Sequence, residues 1–374
     1  MPVNLYFDTA LVLASVTLIV MGYLMVSSAS LHLGGDVFHY PLRQLIHIIL
    51  GIIAGFGMCL IPMNFWEKTG QALFFAGLFL LVLVLIPGLG IKVNGSMRWL
   101  SLAGIRIQVS EVVKFIVVIY IAGFVTRHHE LIKESAYGLV KPLLLLSSAC
   151  VLLLLEPDMG SAVVILIIAM GVLFLSGARL QQFLLLVIAV IAVGVLAVVF
   201  SKYRTARFTS FLHPWEDPFG NGFQLVQALI SFGRGEWLGV GLGSGVQKLF
   251  YLPEAHTDFL FSVIAEELGF IGVLSVIILF AVIVWRAFAI GMMAEQLQQK
   301  FCAFIAYGLG IWFAFQAFVN MGVNMGLLPT KGLTLPFMSY GGGSMIVMCC
   351  ALGMLYRVNT EMLILKKSEE QNHG

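Results

Sequence analysis

Residues 161–200 read SAVVILIIAMGVLFLSGARLQQFLLLVIAVIAVGVLAVVF and contain a single charged side chain, Arg179. Two runs, 161–175 and 183–200, are apolar on every side of a helix and flank the polar break SGARLQQ. A helix of about 20 apolar residues crosses a bilayer, and one that is hydrophobic all round needs lipid or protein on every face. The stretch therefore encodes two consecutive membrane spans.

Outward from there the pattern repeats. Further runs are LVLASVTLIVMGYLMV (11–26), ALFFAGLFLLVLVLIPGLG (72–90) and LVKPLLLLSSACVLLLL (139–155). Across 374 residues 60% are hydrophobic, 11% are charged and the mean hydropathy is +1.00. A water-soluble domain needs far more surface charge than that. The predicted fold class is an all-α polytopic membrane protein with about ten transmembrane helices. The spans fall near 8–28, 43–62, 71–89, 110–126, 139–155, 159–177, 182–200, 258–286, 301–323 and 338–361. They form one membrane domain over 1–374, with one large extracytoplasmic loop at 201–257 between the seventh and eighth spans and a cytoplasmic tail at 362–374. The first apolar run lacks a basic leader and a small-residue cleavage site, so no cleavable signal is expected. The five cysteines lie in apolar stretches without CxxC spacing and read as packing residues.

Lys and Arg divide evenly between the two sides, but half of the outer set sits in the long connection, where the positive-inside rule loses force. Short loops favour both termini in the cytoplasm. That leaves a basic outer face which topology does not demand and which an anionic ligand would explain.

Ionisable groups inside apolar segments mark the candidate site. Glu111 and Lys114 start the fourth span three residues apart, on one helix face, where they can pair. Pro157 suits a first helical position and Asp158 a helix N-terminus. Glu266 and Glu267 follow Asp258 by eight and nine residues, about 12 Å deeper along a helix, and suit helix packing and hydrogen bonding better than chemistry. FQLVQALISF (223–232) is amphipathic enough to lie on the membrane surface. The glycines between 233 and 245 resemble a phosphate-cradling loop, yet no GxxxxGK[ST] is present and no strand precedes them; turns packed on lipid headgroups are the alternative. Arg127-His128-His129-Glu130 reads as solvated loop. GLLPTKGLTLPFMSYGGGSM (326–345) places prolines and three glycines where a loop enters the last span, an irregular backbone suited to a cavity wall.

RWLSLAGIRIQVSEVVKF (98–115), EPDMGSA (156–162), HPWEDPFGNGFQLVQALISFGRGEWLGVGLGSGVQKLFYLPEAHTDF (213–259) and LLPTKGLTLPFMSYGGGS (327–344) together resemble the SEDS family (shape, elongation, division and sporulation). The form PTKGLTLPFMSYGGGS is similar to the division branch more than to the elongation branch. Val109 replaces a usual proline, and Gly341-Gly342-Gly343-Ser344 replaces a Gly-Gly-Ser-Ser-like run. The resemblance implies a peptidoglycan glycosyltransferase that polymerises lipid II at the outer leaflet of a bacterial inner membrane, at the division septum. It would act beside a class B penicillin-binding protein and other division proteins, with no nucleic acid. It places the acid of the family's HTDF motif on Asp258.

The chemistry is consistent with that assignment. A sugar hydroxyl attacking an anomeric carbon needs a general base. A polyprenyl diphosphate leaving group needs cations in place of a general acid. Asp258 is the expected base. Lys248, Arg234 and Lys114 are expected to hold the diphosphate, and Glu111, Arg98, Asp158, Gln224, His256, Lys331 and Ser339 complete the expected contacts to lipid II and the polyprenyl diphosphate-linked glycan. A Mg or Mn ion would suit the same diphosphate. The rival functions are a transporter that flips lipid II and a non-catalytic division scaffold. A transporter should place its charges near the midplane between repeats, whereas these cluster on one face and no repeat is evident.

Overall fold

The computed structural model describes residues 5–31, 38–93, 96–102, 105–220, 222–249, 251–330 and 332–373. The chain runs α1 (Thr9–Ser30), α2 (His39–Leu60), α3 (Met63–Leu85), a three-stranded antiparallel sheet of β1 (Ile91–Val93), β2 (Ser96–Leu102) and β3 (Ile105–Gln108), then α4 (Val109–Arg127), α5 (His129–Glu134), α6 (Ala136–Leu155), α7 (Met159–Leu175) and α8 (Leu180–Val199). It continues through α9 (Lys202–Leu212), α10 (Phe223–Gly235), α11 (Leu260–Gln296), α12 (Lys300–Asn324) and α13 (Gly342–His373). Eight of these helices are long and apolar enough to cross a membrane, and the apolar helices α7 and α8 fall at the other two expected spans.

Burial, not hydropathy, sorts the helices into centre and rim. In the apolar window of α4, 89% of residues are buried within the protein, against 28% in α3. α4 and α12 thus form the centre, and the outward sides of α2, α3 and α8 face lipid. α2 and α13 approach through Gly51 and Gly55. A Cβ on Gly55 would stand 2.6 Å from the Cys349 carbonyl, and one on Gly353 would stand 2.1 Å from that of Gly55. Such a GxxxG seam suits a setting where packing and not the hydrophobic effect holds helices together.

α1 and α11 run antiparallel and are clasped at both ends. Asp8, which caps α1 through Leu11 N–H at 2.9 Å, pairs with Arg286. Ser28 donates to Glu267 at 2.8 Å. On either helix the two clasps lie about 30 Å apart at 1.5 Å per residue, the thickness of a hydrocarbon core. Glu267 therefore marks a boundary of that core, not its interior.

α13 continues helically to His373, so the tail expected at 362–374 is helical through that residue. Two expectations change. Pro157 is not the first residue of α7; it precedes Asp158, which is the N-cap. The predicted eighth span, 258–286, is α11, which starts at Leu260 and breaks at Gly269 (φ 65°, ψ −161°). That break is an angle only glycine adopts cheaply. It lets Ile264 fold back to 3.4 Å from a Cβ built on Gly272. The sheet, whose register pairs Trp99 with Gln108, has alternating residues in SMRWLSL that are visible only in hindsight.

Candidate active site

Asp258 ends a compact turn directly before α11. The turn is closed by Thr257 N–H and Phe259 N–H donating to the Glu254 carbonyl at 3.1 and 3.2 Å, with Glu254 itself in the left-handed region (φ 57°). Strain of that kind persists only where surroundings enforce it. Here three consecutive carbonyls are fixed from outside. His256 O accepts from Tyr340 N–H at 2.9 Å. Thr257 O accepts from Ser339 Oγ at 2.6 Å. Asp258 O accepts from Asn320 Nδ2 at 2.8 Å and Asn324 Nδ2 at 3.0 Å. Asn320 Nδ2 also donates to Leu333 O at 2.6 Å, tying the turn to the 326–341 loop.

The carboxyl is half-buried, and a Cβ on Gly332 would reach within 2.9 Å of its Oδ2. Burial pushes the Asp258 carboxyl up to about 7, helped by the charges of Glu254 and Asp158 and opposed by Arg98 and Arg207. Arg98 donates to the backbone carbonyls of Glu156, at 3.2 Å, and Pro157. These contacts orient its guanidinium without neutralising it. Arg207 Nη1 reaches Thr330 O at 3.5 Å. Glu156 is buried, its two carboxyl oxygens find no partner among the described residues, and burial followed by Asp158 raises it to about 8. His256 packs between Tyr40 (ring centroids 4.9 Å) and Tyr340 (5.5 Å), and burial lowers its pKa so that it stays neutral.

The expected site residues fall into two groups. Arg98 and Asp158 act electrostatically on Asp258, and His256 and Ser339 belong to its turn and the brace on that turn. Asp158 also caps α7, accepting from Ser161 N–H at 3.2 Å and Ser161 Oγ at 2.9 Å. Lys331 lies outside the described residues, next to Gly332. The rest sit elsewhere. Lys114 is buried, bonded to Glu111 at 2.7 Å and Gln316 Oε1 at 2.8 Å. Among the described residues it is linked toward the site through Gln316 Nε2, which donates to Thr334 O at 3.1 Å. Gln224 is half-buried in α10, whose other side chains pack on α11 as well as facing outward.

Lys248 corrects the expectation of a diphosphate ligand. Its ammonium is fully buried and donates to Glu267 at 2.6 Å, Ser28 Oγ at 2.7 Å and Gly243 O at 3.0 Å, so all three protons are placed. Arg234 pairs with Glu266 at 3.3 Å. The glycine-rich loop likewise cradles no phosphate. Val246 and Gln247 N–H donate to the Glu266 carboxylate at 2.9 and 3.2 Å, and Gly243 N–H donates to Glu267 at 2.9 Å. A Cβ on Gly235 would fall 1.8 Å from Ala265 O, so small residues are needed to seat the loop on the broken helix. Among the described residues no three His, Cys, Asp or Glu side chains converge as metal ligands.

Sequence reasoning missed Gln316, Asn320 and Asn324. Their signal was available: three amides four residues apart put one polar stripe on an otherwise apolar span.

The family model for the FtsW/RodA/SpoVE cell cycle proteins matches residues 9–363. The chain is 60% identical over 367 residues to the probable peptidoglycan glycosyltransferase FtsW of Methylomonas methanica, covering 97% of this chain and 95% of that one. It is 56% identical to the corresponding protein of Methylococcus capsulatus, over 95% and 90% of the two chains. Among solved structures it is similar to a chain of a peptidoglycan synthase complex that coordinates polymerization and crosslinking (TM-score 0.76, 28% identity, 95% and 98% covered). It is also similar to the rod shape determining protein RodA of Thermus thermophilus (TM-score 0.71, 26% identity, 96% and 98% covered). The chain belongs to the FtsW/RodA/SpoVE family, the SEDS proteins.

Proposed function

We propose that this multi-pass membrane protein, a peptidoglycan glycosyltransferase, joins lipid II units into glycan strands with Asp258 as the general base. The acceptor sugar hydroxyl attacks the anomeric carbon of the donor, and its proton passes to the Asp258 carboxylate. The new glycosidic C–O bond forms as the bond to the diphosphate breaks with inversion. The electron pair leaves on the polyprenyl diphosphate, whose charge faces Arg98 and Arg207. A divalent cation, where one takes part, would arrive with the diphosphate.

One observation carries this reading. A carboxyl pushed up to about 7 stands in a turn with three consecutive carbonyls braced from outside, within the field of two arginines. A base poised near the working pH combines the right protonation state with a real driving force. The similarity to a synthase complex that couples polymerization to crosslinking supports a class B penicillin-binding protein as partner. The division relatives support action at the septum. Short-loop charge supports cytoplasmic termini, which put Asp258 on the outer side.

The test compares equal amounts of folded wild type and Asp258→Asn on purified lipid II, with chain length read on a gel. Loss of polymer is expected while folding and partner association persist. Normal chains from the variant would remove Asp258 from the chemistry and return lipid II flipping or a scaffold role to the front.

A further inference from the structure

We propose that residues 235–248 form a re-entrant loop whose tip, Trp237, Leu238 and Leu242, is seated among the acyl chains of the leaflet on the Asp258 side. The loop is built inside out relative to one that meets water. Its apolar tip side chains are 71%, 76% and 57% exposed, whereas Gln247, Lys248 and the two glutamates they meet are buried. In water that distribution wastes apolar area; in lipid it is the favourable one.

Backbone satisfaction points the same way. Irregular chain at membrane depth survives only when its polar groups are paired within the protein. Here Val240 and Gly241 N–H donate to the carbonyls of Glu266 and Glu267 at 3.0 and 3.1 Å, and Gly239 N–H donates to Gly235 O at 2.7 Å. In return Phe270 and Ile271 N–H, freed by the break at Gly269, donate to Glu236 O and Trp237 O at 2.9 and 3.3 Å.

Depth follows from the clasped helices. Ser28 and Lys248 meet Glu267 at one edge of the hydrocarbon core, so the tip cannot stand far above it. The tip is also continuous with an exposed apolar side of α11. Trp237 packs edge-on against Phe270 at 5.2 Å, and Phe270, Ile271 and Leu274 of α11 are themselves exposed. Tryptophan favours this headgroup-to-acyl zone, and Glu236 and Arg234 at the neck lie where charged groups reach the headgroups.

The full chain is reconstituted in phosphatidylcholine vesicles containing lipids brominated at shallow or deep acyl positions. Trp237 emission is isolated as the difference between wild type and Trp237→Phe. Most of that component should be lost to shallow bromines and spared by aqueous iodide. A component quenched by iodide and untouched by bromolipid puts the tip in water and overturns the proposal. One reached by neither quencher puts it in a protein interface, such as a second copy, and overturns it too. Spin labels on Leu238→Cys and Leu242→Cys give an independent check if Trp237→Phe fails to fold. Their collision rates should favour oxygen over a water-soluble nickel chelate; the reverse preference counts against the tip being in lipid.

Discussion

Two groups of charges lie near one edge of this membrane protein, the Lys248–Glu267 knot and the Asp258 turn, and they are built on opposite terms. In the knot every proton of the ammonium has an acceptor, and both glutamates collect backbone and side-chain donors. Around the turn it is backbone carbonyls that are held, while carboxyls are left under pressure. Asp258 is lifted to about 7, and between α6 and α7 the buried Glu156 carboxyl, without a partner among the described residues, is lifted to about 8. A charge in a poor solvent either finds its counterpart or shifts its proton equilibrium. The first outcome builds structure, and the second leaves a group ready to exchange a proton.

The contrast breaks most visibly at Asp258. Asp258→Asn should lower polymer formation about 10²–10⁴-fold while thermal stability of the purified protein holds or rises, because a desolvated acid is gone. A variant that unfolds instead would make the turn a structural element like the knot. Lys248→Met should do the reverse. Stranding the Glu267 charge costs about 3–5 kcal/mol, seen as a lower melting temperature, while the folded fraction turns over at nearly the wild-type rate. Adding Glu267→Gln should restore part of the loss. Should Lys248→Met stay stable yet need much more lipid II, the knot would belong to the substrate site after all.

Smaller effects sharpen the same comparison. Asn320→Ala leaves the Leu333 carbonyl without its amide donor and takes one of two from Asp258, about 1–3 kcal/mol per orphaned group. Its signature should be a reduced kcat with KM little changed, since the base is displaced and the substrate is not. An unaltered kcat would show that the brace does not set the position of the base. The last handle is pH, which needs no substitution. Asp258 must be deprotonated to accept a proton, and its raised pKa keeps much of it protonated below neutrality. The kcat/KM profile should therefore rise with pH and level off near 7, falling about tenfold per unit on the acid side. A limb near 4 would place the titrating base elsewhere.

All ten spans were legible because apolar length is a local property that each segment carries alone. The motif singled out Asp258, and of the residues expected with it Arg98, Asp158, His256 and Ser339 fall around it. Lys248 was misjudged for a physical reason. A lysine in a glycine-rich loop looks available until the loop is seated on α11, and the break at Gly269 that permits seating leaves only one glycine in an apolar run as its trace. The amide stripe of Gln316, Asn320 and Asn324 was written plainly at helical spacing but points to partners in two distant loops. Long-range pairing of that sort has no local sign.

The paired clasps joining α1 to α11, Asp8 with Arg286 and Ser28 with Glu267, make the two helices a caliper of fixed jaw width. Neither helix can slide along the other without parting a buried polar contact, so a bilayer of another thickness must itself deform or tilt the pair. Because Glu267 also anchors the loop at 235–248, lipid chain length should act as a mechanical input, and the enzyme's rate across vesicles of graded thickness should peak where the membrane fits the jaws.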